Sequence, residues 1–377
     1  MKRKNKLHKI IKPTMLIFLF LVCSLISTNL ISGKIEGKGY SFLDNVLGTK
    51  EVYAVNRRSD EKDKLKVYLG GSPLGIKLNT EGVLVVGLSD VKTEKGEDIS
   101  PGAMAGIEIG DSIIKVNNKE ILSAEDLSEM ININKGEKLN ILVRHKEEVQ
   151  ERVLTPIKSS DNKFKIGLWV RDCTTGIGTL SFYEETSNIY GALGHAITDV
   201  DTGNLMTVRD GKIVSSNIIS VKKGEKGNPG ELKGIFVDDT NKLGNIESNN
   251  ECGIFGVANE EILNKIGEPI EIALKDEVKV GKAEIVTTVD GKTPERYEVM
   301  VEKVLRQDES NSKSMVIKIV DERLLNKTGG IVQGMSGSPI IQDGKLIGAV
   351  THVLVNKPDV GYGVYIEWML KEAEILK

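Results

Sequence analysis

Gly334-Met335-Ser336-Gly337-Ser338-Pro339-Ile340-Ile341 is the stretch that decides how this chain reads. A serine sits at a bend between glycines, and a proline then opens an apolar, β-branched pair suited to a buried strand. Acyl transfer needs a serine hydroxyl at such a bend, with backbone N–H groups converging where a carbonyl oxygen will carry charge. Gly334 offers an unhindered amide two residues before Ser336, so the N–H groups of Gly334 and Ser336 are the candidate oxyanion hole. Beyond the bend, residues 350–353 and 361–365 read as the next two strands.

A serine at neutral pH needs a base, and the chain has four histidines. His8 lies in a basic N-terminal block, His145 reads as a solvated strand residue, and His352 reads as a structural residue inside an apolar strand. His195, in Tyr190-Gly191-Ala192-Leu193-Gly194-His195-Ala196-Ile197-Thr198-Asp199, follows a strand-like segment and is the candidate base. For the acid that would orient it, the residues leave Asp199, Asp238, Asp239 and Asp321 open. The order of a histidine strand, a nucleophile bend and two closing strands resembles the chymotrypsin-like serine peptidases.

Composition bounds the alternatives. With 377 residues the chain should hold two or three domains. A 40% hydrophobic and 28% charged composition excludes disorder throughout, and a net charge of −3 weighs against a nucleic-acid binder. Three cysteines cannot build a disulfide scaffold; Cys173 and Cys252 could pair in an oxidising compartment, but read rather as small buried apolar residues. No Cys-x-x-Cys or His-Glu-x-x-His spacing occurs, so neither a metal nor another cofactor is expected.

Residues 1–33 read as an address. Lys2, Arg3, Lys4, Lys6, Lys9 and Lys12 precede an apolar run from Thr14 to Ile31, just long enough for a membrane-spanning helix. The basic flank predicts export of everything downstream, with the segment kept as a signal anchor. Residues 34–64 are polar and charge-mixed, a linker.

From residue 65 to 156, short apolar runs alternate with Gly, Pro and Asn. Residues 83–88 and 138–143 read as strands, and Ser123 caps a helix with Leu127, Met130 and Ile131 on one face. Pro101-Gly102-Ala103-Met104-Ala105-Gly106-Ile107 leading into Gly110-Asp111-Ser112-Ile113-Ile114-Lys115-Val116-Asn117 closely resembles the PDZ domain. By that resemblance the loop at Gly75 and Ile76 would take a peptide carboxylate. Ile76, Leu78, Leu127 and Met130 would line an apolar groove. The expected fold is therefore mainly β: a membrane-spanning helix, an α+β PDZ-like domain, and a double β-barrel over residues 157–377.

A PDZ-like domain ahead of the Gly-His-Ala-Ile-Thr-Asp segment and the Gly-Met-Ser-Gly-Ser-Pro bend is similar to the SpoIVB peptidase family. That resemblance implies a serine endopeptidase with Asp321 as the acid. It also implies an exported, membrane-anchored enzyme lying between forespore and mother-cell membranes. There it would cut a membrane-bound regulatory protein, so that a sigma-factor precursor is processed, and would cleave itself. The rivals are a catalytically silent PDZ adaptor and a quality-control protease. Ser336 with His195 speaks against the first. The second usually carries its PDZ domain after the catalytic one.

Overall fold

The computed structural model describes residues 65–146, 148–237 and 241–377. The expected anchor and linker, residues 1–64, and two of the candidate acids, Asp238 and Asp239, lie outside them. Among the described residues no helix is long and apolar enough to cross a membrane.

Two six-stranded barrels form the body. The first is built from β1 (Pro73–Leu88), β2 (Leu168–Glu184), β3 (Ile189–Ala192), β4 (Val208–Lys222), β5 (Lys242–Asn245) and β6 (Gly253–Val257). Its ladders run β4–β1–β2–β3–β6, β5 pairs with β4, and a bridge between Gly244 and Ala258 closes the ring. The second consists of β7 (Gly281–Thr287), β8 (Glu295–Val304), β9 (Met315–Ile319), β10 (Pro339–Gln342), β11 (Lys345–Leu354) and β12 (Lys357–Tyr365). It closes in the order β7-β8-β9-β12-β11-β10. Numbered from its own first strand, each barrel is ordered 1-2-3-6-5-4. The shared order makes this a repeated antiparallel barrel, the double-barrel architecture the sequence predicts.

Alternation along the strands fills the interiors. Leu74, Ile76 and Leu78 of β1 point into the first barrel with Leu180, Tyr190, Ile213 and Ile254. Ile285, Val299, Val301, Ile317, Ile340 and Val350 fill the second, and Phe182, Leu232 and Met335 join that core at the seam between barrels.

One boundary differs from the expectation. The PDZ-like module does not precede the barrels; it is inserted between the first two strands of the first. β1 and β2 pair from Pro73 opposite Thr179 to Leu88 opposite Leu168, so both run out of the barrel and into the module. There the far half of β1 meets the strands Ser112–Val116, Leu139–His145 and Glu148–Leu154. Val83, Val85, Ile113, Leu127, Ile131, Ile141 and Val143 form a separate core. The helix Ala124–Ile133 starts where expected, with Ser123 Oγ accepting from the Asp126 N–H at 3.0 Å.

The groove assignments change accordingly. Gly75, Ile76 and Leu78 belong to the first barrel, paired with β2 on one side and β4 on the other, and have no open edge to offer a peptide. A Cβ on Gly75 would strike the Phe236 ring and Val214, so the close approach that needs glycine is made by the barrel's own side chains. Leu127 is buried in the module's core and Met130 packs against it. The cysteines are both free; Cys252 is buried as expected, but Cys173 is exposed on β2.

Candidate active site

Ser336 sits in the turn between the helix Glu322–Thr328 and β10. Gly334 and Gly337 have φ of +96° and +94°, a region that admits glycine at little cost. At Gly337 a side chain is also excluded by the Thr179 carbonyl and the Leu193 backbone. The turn is held by the first barrel. Thr179 Oγ1 donates to Gly334 O at 2.8 Å, Ser181 Oγ to Gly337 O at 2.8 Å, and the Thr179 N–H to Ser336 O at 2.9 Å. From its own barrel the Gly337 N–H donates to Val350 O at 2.7 Å.

Those restraints aim two amides. A trans peptide points its N–H opposite its C=O. The carbonyl of Gln333 accepts from Leu232 N–H at 2.8 Å, and that of Met335 from Ser338 N–H at 3.0 Å and Ser338 Oγ at 2.6 Å. The N–H groups of Gly334 and Ser336 therefore face the other way, and neither donates to a protein acceptor among the described residues. Carbonyls held on one side leave two free amides on the other, the donors that an oxyanion hole would need.

His195 follows β3 through Leu193 and Gly194, at φ +68° and +70°. This sharp turn seats Gly194 against Thr351 and Val364 of the second barrel. His195 Nδ1 lies 2.8 Å from Ala196 O. A carbonyl only accepts, so Nδ1 carries the proton and Nε2 keeps its lone pair, the tautomer a general base needs. Burial pushes the imidazole below its ordinary pKa, opposed by the bond to Ala196.

Ser336 and His195 both reach β11, at adjacent residues. Ser336 Oγ donates to Thr351 O at 2.9 Å, and the next residue, His352, lays its ring on His195 with centroids 4.9 Å apart and planes tilted by 40°. His352 is more than the satisfied strand residue expected. Its Nδ1 is buried with no hydrogen-bond partner among the described residues, and burial, His195 and Lys313 together hold its pKa down at about 4. Period-2 alternation locates such a residue on a strand but says nothing of the ring that faces it.

Asp321 is not brought to His195. It caps the helix Glu322–Thr328, its carboxylate accepting from Arg323 N–H at 2.9 Å, from the Arg323 guanidinium at 2.8 Å and from Glu298 N–H at 3.2 Å. The guanidinium holds this carboxyl below its usual range. An Asp before a short helix satisfies orphan amides whatever else it does, and Asp321 does so here. Asp199 is likewise committed, to Arg171 and to the amides of Asp201 and Thr202. Among the described residues no carboxylate bonds to His195. The residue that sequence reasoning missed is Asn249, on the short strand Ser248–Asn250 that pairs with β6, which grips the His195 loop. Its Oδ1 accepts from Ile197 N–H at 2.7 Å, and its Nδ2 donates to Ile197 O and Met206 O at 2.8 and 2.9 Å.

Residues 162–370, more than half of the chain, match the family described as SpoIVB peptidase S55. The chain belongs to the SpoIVB peptidase family. The family's match holds both the Ser336 turn and the His195 loop. Residues 96–145 match the PDZ domain, within the inserted module. Neither match reaches the first half of β1, which the structure assigns to this SpoIVB-type barrel. A putative zinc metalloprotease of Clostridium acetobutylicum is 28% identical over 120 residues, 30% of this chain, and the match spans about a third of that relative's length (35%). Among solved structures, the inactive form of Rv3671c from M. tuberculosis is 9% identical, covering 52% of this chain and 82% of its own at a TM-score of 0.28. The HtrA-type protease AlgW with a decapeptide is 10% identical, covering 54% and 53% at 0.30. At such scores the fold of this SpoIVB peptidase rests on its own strand order.

Proposed function

We propose that this chain is a serine endopeptidase in which Ser336 is the nucleophile, His195 the general base, and the Gly334 and Ser336 amides the oxyanion hole. The observation that carries the reading is the pair of amides left free in the Ser336 turn, together with a histidine whose tautomer leaves Nε2 open. The Ser336 hydroxyl swings from Thr351 O to His195 Nε2 and attacks the scissile carbonyl as His195 takes its proton. The carbonyl oxygen then gathers charge between the two amides, and His195 returns the proton to the leaving amine. A neutral resting imidazole suits this cycle, because a protonated one could not accept.

The wider setting is supported by family membership and by the sequence of residues 1–33. The protease is exported and held at the membrane, in the space between forespore and mother cell. Its substrate is a membrane-associated regulatory protein whose cleavage leads to sigma-factor processing, and it also cleaves itself. The PDZ module binds protein partners or substrate segments.

The test is cleavage by the purified chain. Ser336→Ala should abolish both substrate cleavage and self-processing while the thermal midpoint stays put. His195→Ala should match it, and the double variant should be no worse than either single one. Substantial cleavage remaining in Ser336→Ala would remove the serine mechanism.

A further inference from the structure

His195 lacks a carboxylate among the described residues, yet its ring is fixed in the tautomer a base needs. The acceptor that fixes it, Ala196 O, belongs to the peptide between Ala196 and Ile197. The N–H of that same peptide is the group Asn249 Oδ1 accepts at 2.7 Å. A line of hydrogen bonds thus runs from His195 Nδ1–H to the Ala196 carbonyl, through the peptide, and from the Ile197 N–H to Asn249. Bonds in such a line polarise one another: an acceptor on the N–H makes the carbonyl at the other end of the amide a stronger acceptor.

We propose that Asn249 is a positioning residue of His195, acting through the Ala196–Ile197 peptide whose carbonyl fixes the ring. The inference rests on the reading of His195 as the base. The chemistry of the site explains why this residue is an amide. Two carbonyls, Ile197 O and Met206 O, accept from Asn249 Nδ2 at the place where Ile197 N–H donates to its Oδ1, and an ionised carboxylate can only accept. Asn249 meets all three from one side chain. As His195 takes the proton of Ser336, the strengthened Ala196 carbonyl steadies the imidazolium, and no net charge is brought into the buried cleft.

The titratable neighbour of the ring among the described residues is His352 on β11, on which Lys313 also acts. Glu247 and Glu251 flank Asn249 in sequence, and the Ser336 turn contributes no ionisable group besides the serine itself. The measurement is an NMR titration of the His195 imidazole in the full chain carrying Ser336→Ala, assigned by difference from His195→Gln. Adding Asn249→Ala should lower the His195 midpoint by about half a unit, because the protonated ring loses support. Adding Asn249→Asp, which keeps an acceptor and adds charge, should raise it by about as much. With Ser336 restored, Asn249→Ala should lower kcat about tenfold, the scale of one neutral hydrogen bond, with KM unchanged. In both variants the acid limb of the activity profile should follow the titration. Midpoints that stay put, or move the same way in both variants, would reduce Asn249 to a loop brace and overturn the proposal. Asn249→Asp retains the Ile197 bond, so the titration can be read even if the alanine variant does not fold. Cleavage surviving His195→Ala would instead sink the base assignment, an outcome the titration does not mimic.

Discussion

The two barrels share one strand order but are finished differently. The second closes through continuous ladders around a large core that also takes in the C-terminal helix Ile366–Glu372. The first closes through a single bridge, has a smaller core, and has its first hairpin opened to admit the PDZ module. Each barrel also holds the other's chemistry. Thr179 and Ser181 of the first secure the Ser336 turn, and β11 and β12 of the second seat Gly194 beside His195. The difference teaches that the site belongs to the seam and not to either barrel. What keeps Ser336 and His195 together is a handful of backbone contacts between units of unequal closure.

The sharpest way to break that arrangement is at the seam itself. Gly337→Ala puts a Cβ onto the Thr179 carbonyl at a positive φ, so the turn and the His195 loop must part. A displacement of about an ångström at reacting atoms costs on the order of a hundredfold, and kcat/KM should fall by at least that much. An active Gly337→Ala protein would mean that the two loops do not lock.

The unequal barrels should differ in their response to overpacking. Gly75→Val would drive methyl groups into Phe236 and Val214, and should lower stability by about 1–3 kcal/mol as read from the denaturant midpoint. Cleavage of small peptides should suffer with it. Were Gly75 instead part of a peptide groove, stability and small-peptide cleavage would be unchanged and only protein substrates would be spared.

The seam should also respond to pH. His352 has a folded pKa of about 4 against an ordinary 6.5, so between those values the unfolded chain binds a proton that the folded chain refuses. Stability contributed by this residue is present above about pH 6.5 and is lost as pH falls toward 4, by about 1–2 kcal/mol once solvent screening is allowed for. His352→Phe keeps a ring against His195 and should flatten that slope in thermal melts. The depressed pKa of His195 likewise places the acid limb of activity below 6.5, the ordinary histidine value, in wild type.

The smallest effect is expected at Asp321. Asn caps helices as well as Asp does, so Asp321→Asn keeps the cap on Arg323 N–H and loses the guanidinium pairing and the Glu298 N–H bond at the second oxygen. It should cost about 1 kcal/mol or less and leave kcat within about twofold. A loss of several orders of magnitude would return Asp321 to the role that the family resemblance implies.

What was legible in the sequence follows from how local each signal is. The Ser336 turn, the strand leading to His195 and the Ser123 cap are written in adjacent residues, and each appears where it was read. The insertion is not local: Leu74, Ile76 and Leu78 alternate identically whether their partner strands belong to a PDZ sheet or to a barrel. Asp321 was ambiguous because helix capping and orienting a histidine ask for the same side chain. Asn249 and His352 carry no motif, and their importance comes from residues far away in sequence that the barrels bring to them.

The opened hairpin also sets an order of assembly. β1 must wait for β2 across about ninety residues, a closure whose entropy would cost about 4 kcal/mol before any pairing rewards it. The PDZ module removes that wait. Chains emerge N-terminus first, and the module has its own core, so it can fold while the second barrel is still being made. Once folded, it holds the outer ends of β1 and β2 side by side, Leu88 against Leu168. From there the two strands zip inward as an ordinary hairpin, and the catalytic barrel is nucleated from the tip of its own insertion.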